Sequence, residues 1–514
     1  MRPVTRLSSS PEAEGMPRGR GLGPRVAAVL VFGSSAAVLV VEIVALRLLA
    51  PYLGLTLETS TMVIGIALTA IALGSWLGGR IADQVEPRRL IGPSLGMSGV
   101  VVALTPAVLR STAEWAPALL LLIGAATILV PGALLAAVTP IVTKLRLTSL
   151  AETGTVVGRL SGVGTAGAIV GTVLTGFVLV SRLPVSGILI GLGTLLVIGS
   201  ALVEWRRRGW NSAPALTLLV MAGGLATVVA PGGCDTETKY HCARVVADPQ
   251  RDSGRTLVLD GVRHSYVDID DPTFLKFEYV RAIASVVDTA FPERKPLAAH
   301  HLGGGGLTLP RYLAATRPGT RSLVSEIDGG LVRINREHLG LGPQAGIDVR
   351  VEDGRLGLRR LDAGSRDLVV GDAFGGVSVP WHLTTEEALT DIRRVLNTDG
   401  LYVANLIDHG GMAFARAEVA TLSETFEHVA LIGEPADIGL DPTATPEGGN
   451  LVVLASNRPV DLHATQKALD TRQTGWKIAT GDDLTAWTGD AHMLTDDYAP
   501  VDQLLQPYSP RSSP

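Results

Sequence analysis

Seven stretches between residues 26 and 231 are long, apolar and nearly free of charge: 26–50, 59–79, 90–109, 116–138, 161–181, 184–204 and 213–231. A hydrocarbon core asks for on the order of 20 consecutive apolar residues. Segments repeated in this way therefore predict a multi-span helical membrane domain over 26–231, embedded in a lipid bilayer. Gly and Pro within the segments fit membrane helices, where close backbone packing replaces the hydrophobic drive. Residues 1–25, rich in Arg, Ser, Pro and Gly, lack the apolar area to offset ordering entropy and read as a disordered tail. The apolar run after them is too long and too often repeated to be a cleaved leader.

The connecting loops give an orientation, because Lys and Arg are retained on the cytoplasmic side. Arg18, Arg20 and Arg25 precede the first segment, and Arg80, Arg88 and Arg89 follow the second. Lys144, Arg146 and Arg159 follow the fourth, and Arg206, Arg207 and Arg208 follow the sixth. The alternation predicts a multi-pass cell-membrane protein with its amino terminus in the cytoplasm and, after seven spans, its carboxyl domain outside. The loop Gly78–Arg89, G-G-R-I-A-D-Q-V-E-P-R-R, resembles the loop between the second and third helices of major facilitator transporters. Glu42 is a charge within a span, read equally as a functional group or as a carboxyl fixing helix packing.

Past residue 233 charge returns at ordinary density. A net charge of −5, with no basic run interleaved with aromatics, argues against a nucleic-acid partner. The chain's two cysteines, Cys234 and Cys242, pair naturally in an oxidising compartment and are free thiols in the cytosol. Their spacing is not that of a metal clip, and no metal site is expected. Residues 232–295 read as a linker and small β unit with a helix: strands at 243–247 and 255–259, Asp248–Gly254 as the turn between them, and helical spacing over 274–287. Asp268–Pro272 reads as a solvated acidic turn.

Over 296–505 strands alternate with helices, at 297–302, 322–328, 347–353, 367–373, 400–406, 428–433 and 450–456. This predicts a mostly parallel, Rossmann-like sheet with helices on both faces and ligands at the carboxyl ends of the strands. Residues 506–514 read as a second disordered tail. The first strand runs into four glycines, Gly303–Gly306, which let a ligand approach the backbone. Glu326, Asp353 and Asp372 end the next three strands. Singly each is a helix cap or a solvated acid; together, beside the glycine turn, they point to a nucleoside site. His300 and His301, ahead of the glycines, read as one core residue and one at the sheet edge.

From Thr236 to Ser456 the chain resembles the spermidine synthase family of aminopropyltransferases, in the bacterial form fused to a multi-span membrane domain. The residues that carry the resemblance are E-T-K-Y (Glu237–Tyr240), L-V-L-D-G (Leu257–Gly261), the glycine turn with Thr308, S-E-I-D (Ser325–Asp328), E-D-G (Glu352–Gly354), D-A-F from Asp372, and T-D-D-Y-A-P-V (Thr495–Val501). The resemblance implies a class I methyltransferase-like fold and no prosthetic group. It implies decarboxylated S-adenosylmethionine as co-substrate, with an adenosyl-sulfonium donor and a small amine as partners. A homo-oligomer is left open. Carried over residue by residue, Gly303, Gly304, Gly305, Glu326, Asp353, Gly354 and His241 hold the donor, and Asp372 accepts the proton. His264, Glu278, Trp381 and His382 face the amine.

Several positions depart from the family pattern. Gly305 stands where the glycine turn carries an acid, and Gly375 replaces a second acid after Asp372. His241 and His264 replace glutamines, and Lys276 and Phe277 replace a tyrosine and a histidine. The donor pocket is therefore better kept than the amine pocket. Two other readings stay open: a non-catalytic nucleoside or polyamine sensor, and a methyltransferase using S-adenosylmethionine itself.

Overall fold

A computed structural model describes residues 22–53, 57–147, 152–208, 221, 225, 234–342, 346–376 and 378–505. The chain divides into a helical unit and an α/β unit. Among the described residues six helices are long and apolar enough to cross a membrane: Pro24–Leu49, Leu57–Gln84, Arg88–Trp115, Pro117–Arg146, Thr153–Leu179 and Val185–Arg206. They take in the first six predicted segments. The seventh, 213–231, lies almost entirely outside the described residues.

Arg159, assigned to a loop by its charge, sits inside the helix Thr153–Leu174. A long cationic side chain near a helix end can lay its stem on apolar surface and keep its head in water, so charge alone misplaces such an end. Small residues bring the helices into backbone contact. A Cβ added at Gly74 would stand 2.1 Å from the Ala133 carbonyl oxygen, and one at Gly167 would stand 2.3 Å from that of Phe32.

The α/β unit opens with an antiparallel sheet of β1 (Thr236–Glu237), β2 (Cys242–Asp248), β3 (Arg251–Leu259) and β4 (Val262–Asp268), in that order. The turn expected over Asp248–Gly254 contracts to Pro249 and Gln250. Arg251 is drawn into the ladder by Asp268 and by Asp271, the latter at 3.1 Å. Asp268 is buried and accepts the amides of Asp270 and Asp271 at 3.1 and 2.9 Å, so the acidic turn expected to be solvated is partly internal. Asp260 (φ 51°) and Gly261 (φ 83°) join β3 to β4, with both residues in the left-handed region that a tight two-residue hairpin requires. Cys234 and Cys242 are joined by a disulfide.

The main sheet has eight strands: β5 (Ala298–Leu302), β6 (Arg321–Glu326), β7 (Ile347–Val351), β8 (Arg366–Gly371), β9 (Leu396–Asp408), β10 (His428–Gly433), β11 (Gly449–Ser456) and β12 (Lys477–Ala479). Their order is β12-β10-β11-β9-β8-β5-β6-β7. From β7 to β9 every pairing is parallel. β11 runs against both β9 and β10, and β12 runs against β10. This is the expected methyltransferase-like sheet, with an antiparallel edge that strand spacing alone does not reveal.

Alternation along β9 shows how both faces are covered. Leu401 and Val403 pack with Ile283 and Val287 of the helix Glu278–Ala290, while Tyr402, Ala404 and Leu406 pack with Phe414 and Leu422 of the helix Ala413–Thr425. Successive side chains of a strand point to opposite faces, so one strand feeds two cores. His300 and His301 are both buried, which corrects the expectation that one lies at an edge: β5 is central, with β6 and β8 on either side. Each imidazole bonds a serine of β6, His300 to Ser325 at 2.9 Å and His301 to Ser322 at 3.3 Å. Burial pushes their pKa values down, to about 4 and about 3, so both are neutral at pH 7.

Candidate active site

The parallel strands deliver their carboxyl ends to one edge of the sheet, and the predicted acids collect there. Gly303 (φ 93°) turns the chain out of β5, and a Cβ on it would stand 2.2 Å from the carbonyl oxygen of Asp372. The turn then folds onto the acid ending β6. Glu326 Oε2 accepts the amides of Gly304 at 2.8 Å and Gly305 at 3.3 Å, and Oε1 accepts the amide of Asp328 at 2.8 Å. Burial raises the pKa of Glu326 and the Asp328 charge adds to that, while the three amides oppose it.

The small sheet reaches the same place. Ser265 of β4 accepts the Gly306 amide at 3.0 Å, and Thr238 donates to Asp328. His241 pairs with Asp260 at 2.8 Å, beside Thr238, whose hydroxyl accepts the His241 amide at 2.8 Å.

Asp353 follows β7. Its Oδ1 caps the next helix at the Leu356 amide, 3.0 Å away, and its Oδ2 meets His382 Nε2 at 2.9 Å. Desolvation works against its charge, but those two bonds and the Arg355 amide together hold its pKa below the usual carboxylate value. Gly354 begins the capped helix. Trp381 is half exposed and meets His382 edge to face, at 5.8 Å between ring centroids. The structure thus sets Trp381 and His382 beside Asp353, away from the other residues expected to face the amine, and brings His264 and Glu278 together with Asp372.

Asp372 follows β8 on the wall of a cavity of about 530 Å³. Its Oδ1 accepts from Asn405 Nδ2 at 2.9 Å and its Oδ2 accepts from the Tyr279 hydroxyl at 3.3 Å. Burial pushes its pKa up to about 6 against the opposing pull of those two donors. Tyr279, buried beside that carboxyl, has its own pKa raised well above the ordinary value, so it keeps its proton and donates. His264 and Glu278 line the same cavity, with Glu434 and Trp476. Burial, followed by the nearby His241, lowers the His264 pKa to about 4, leaving a neutral ring that adds no positive charge. Glu434 is raised by burial and then by its neighbour Glu278. Arg263, Lys276 and Arg281 also line the cavity, with Arg281 paired to Glu278 at 3.2 Å, so the place for a cation is next to Asp372, a carboxylate that is ionised at neutral pH.

No family model matches the chain. A polyamine aminopropyltransferase of Vibrio vulnificus (strain CMCP6) is 27% identical over 247 residues, 44% of this chain and 75% of that protein. Its counterpart from Chromobacterium violaceum is 26% identical over 141 residues, 27% of this chain and 53% of its own length. Among solved structures, a probable spermidine synthase from Corynebacterium glutamicum ATCC 13032 is 30% identical, with 52% of this chain and 97% of that one aligned and a TM-score of 0.47.

The chain belongs to the spermidine synthase family. It is a transferase of that family preceded by helices apolar enough to cross a membrane.

Sequence reasoning passed over Tyr279, Asn405, Asn450, Glu434 and Trp476. Pairing of Gly371 with Ala404 sets Asn405 one residue on, beside Asp372, and Glu434 directly follows β10; the rule that ligands gather at strand ends could have flagged both. Asn450, which donates to Asn405 Oδ1 at 2.9 Å, escapes that rule. It lies at the start of β11, a strand running the other way, so its amino end meets the carboxyl ends of its neighbours.

Proposed function

We propose that this chain is a membrane-bound aminopropyltransferase that moves the aminopropyl group of decarboxylated S-adenosylmethionine to a small amine. The observation that carries this reading is Asp372, held by Tyr279 and Asn405 on the cavity wall with a pKa near 6. The amine nitrogen attacks the methylene carbon beside the sulfonium. That C–S bond breaks with its electron pair going to sulfur, which releases neutral methylthioadenosine, and the N–H proton passes to Asp372. Alignment of donor and acceptor supplies most of what remains. In this reading Glu326 takes the ribose hydroxyls, Asp353 with Gly354 takes the adenine, and the glycine turn with His241 borders the donor. His264, Glu278 and Glu434 border the amine.

The amine pocket has its own character. Gly305 has φ 47°, and a Cβ there would stand 2.6 Å from Ser265 Oγ, so the family's acid does not fit without displacing Ser265. Glu278 and Glu434 supply negative charge from another wall. Full-length protein in detergent, given decarboxylated S-adenosylmethionine and putrescine or spermidine, is expected to release methylthioadenosine in step with the aminopropylated product. Release of S-adenosylhomocysteine from S-adenosylmethionine would instead make it a methyltransferase, and tight donor binding without turnover a sensor.

The disulfide and the alternating basic loops favour an amino terminus in the cytoplasm and a carboxyl domain on the oxidising side of the membrane. In cells quenched with acid, Cys234 and Cys242 are expected to resist a thiol-alkylating reagent until a reductant is added. Labelling without reductant would put the domain in the cytosol.

A further inference from the structure

The T-D-D-Y-A-P-V segment near the carboxyl terminus has no part in the chemistry above, yet it is fastened beside the donor site. Asp496 grips Arg355 with both oxygens, Oδ1 to Nη1 at 2.6 Å and Oδ2 to Nη2 at 2.7 Å. Arg355 is nearly buried, its side chain 7% exposed, and its Nη1 also reaches the backbone carbonyl of His382 at 3.2 Å. The segment is itself secured from both sides. Thr385 Oγ1 donates to Asp496 Oδ1 at 2.8 Å, the Asp496 amide donates to Glu387 at 3.0 Å, and the Glu386 amide donates to the Leu494 carbonyl at 2.8 Å.

These bonds meet at one carboxylate. Asp353 caps the short helix that contains Arg355 with one oxygen and meets the His382 ring with the other. Arg355 holds the His382 backbone, and Asp496 holds Arg355. The loop after β8 and the helix after β7 are thereby tied together on either side of Asp353. A bidentate guanidinium–carboxylate pair fixes direction as well as distance, which a lysine in place of the arginine would not reproduce.

We propose that Asp496 is a positioning residue for the donor: through Arg355 and His382 it fixes the Asp353 carboxylate in the orientation that reads the adenine ring. The assignment rests on the donor role given above to Asp353. Asp496 touches no substrate and its effect is on recognition. Asp353, with one oxygen on the Leu356 amide and the other on His382, keeps spare lone pairs for an exocyclic amino group. Without the clamp, the His382 turn and the capped helix are free to move apart, and the carboxylate loses its direction.

The test uses full-length protein in detergent with methylthioadenosine and methylthioinosine, which differ where adenine has an amino group and hypoxanthine an oxygen. Calorimetry on the wild type is expected to show a clear preference for methylthioadenosine. Asp496→Asn is expected to weaken methylthioadenosine by about tenfold, the worth of one hydrogen bond to a charged group, and to erase most of the preference. Asp496→Glu, which keeps the charge, is expected to recover part of it. A general loosening of the fold would weaken both nucleosides alike and leave their ratio unchanged. Should Asp496→Asn fail to fold, Arg355→Lys serves the same purpose, since it keeps the charge and loses the arm that reaches His382. Wild-type preference retained in these variants overturns the clamp and leaves the proposed function standing. A wild type that binds neither nucleoside overturns both.

Discussion

Asp372→Asn is expected to lower kcat by about 10²–10⁴-fold, the usual contribution of a positioned proton acceptor, with the affinity for methylthioadenosine unchanged. The Tyr279 hydroxyl can turn to accept from the new amide, so the site should keep its shape. In the proposed reaction the working form is the carboxylate, whose pKa burial pushes up to about 6. The pH profile of kcat/KM should therefore be flat above that value and fall about tenfold per unit below it, a limb absent from the variant. Stability should move the other way. A carboxyl whose pKa rises on folding from 3.8 to about 6 favours the fold fully below the lower value, and that contribution is lost as pH rises through the higher one. At pH 7 the charge opposes folding, so Asp372→Asn should unfold at the same temperature as the wild type or above it. A variant that is inactive and also melts early would mean that Asp372 supports the fold and not the reaction.

Gly303→Ala should do more damage with a smaller change. Its φ of 93° is strained for any residue with a Cβ, and the new methyl would lie 2.2 Å from the Asp372 carbonyl oxygen, a backbone atom that cannot swing aside. Strain of this kind and overpacking each cost about 1–3 kcal/mol. Together they should lower stability by about 2–6 kcal/mol. Because the clash bears on the residue proposed to accept the proton, any folded fraction should lose transfer as well. Gly375→Ala is the matched control, since the nearest atom to a Cβ there is the Ser378 carbonyl oxygen at 3.9 Å. Thermal unfolding and methylthioadenosine release on both variants settle the point: equal behaviour would mean that the turn yields and that its glycines are not needed for close approach.

What could be read from the sequence follows from how local each signal is. Segments of 20-odd apolar residues and alternating strands and helices are properties of short windows, and six long helices among the described residues and the parallel strands formed where those windows fell. Acids at strand ends were legible for the same reason, since Glu326, Asp353 and Asp372 each follow their own strand. Contacts between distant parts of the chain were not. Nothing near Trp381 announces that the next residue turns back to Asp353, and nothing near Asn450 announces an antiparallel strand that would carry it to Asn405. Gly305 was visible as a departure, but the reason an acid does not fit there, Ser265 on another sheet, required the tertiary structure.

The Asn450–Asn405–Asp372 chain has a direction. Asn450 gives its amide hydrogen to Asn405 Oδ1, which leaves Asn405 only its amino end to offer Asp372. Tyr279, the other neighbour, likewise offers a hydrogen. In the proposed reaction a proton taken up by Asp372 therefore meets two groups that already donate to it, and of these only the Tyr279 hydroxyl can turn to accept it. The cavity that Asp372 lines gives that proton a way out, to water or to the departing product. In that reading, resetting the base and emptying the pocket share one route.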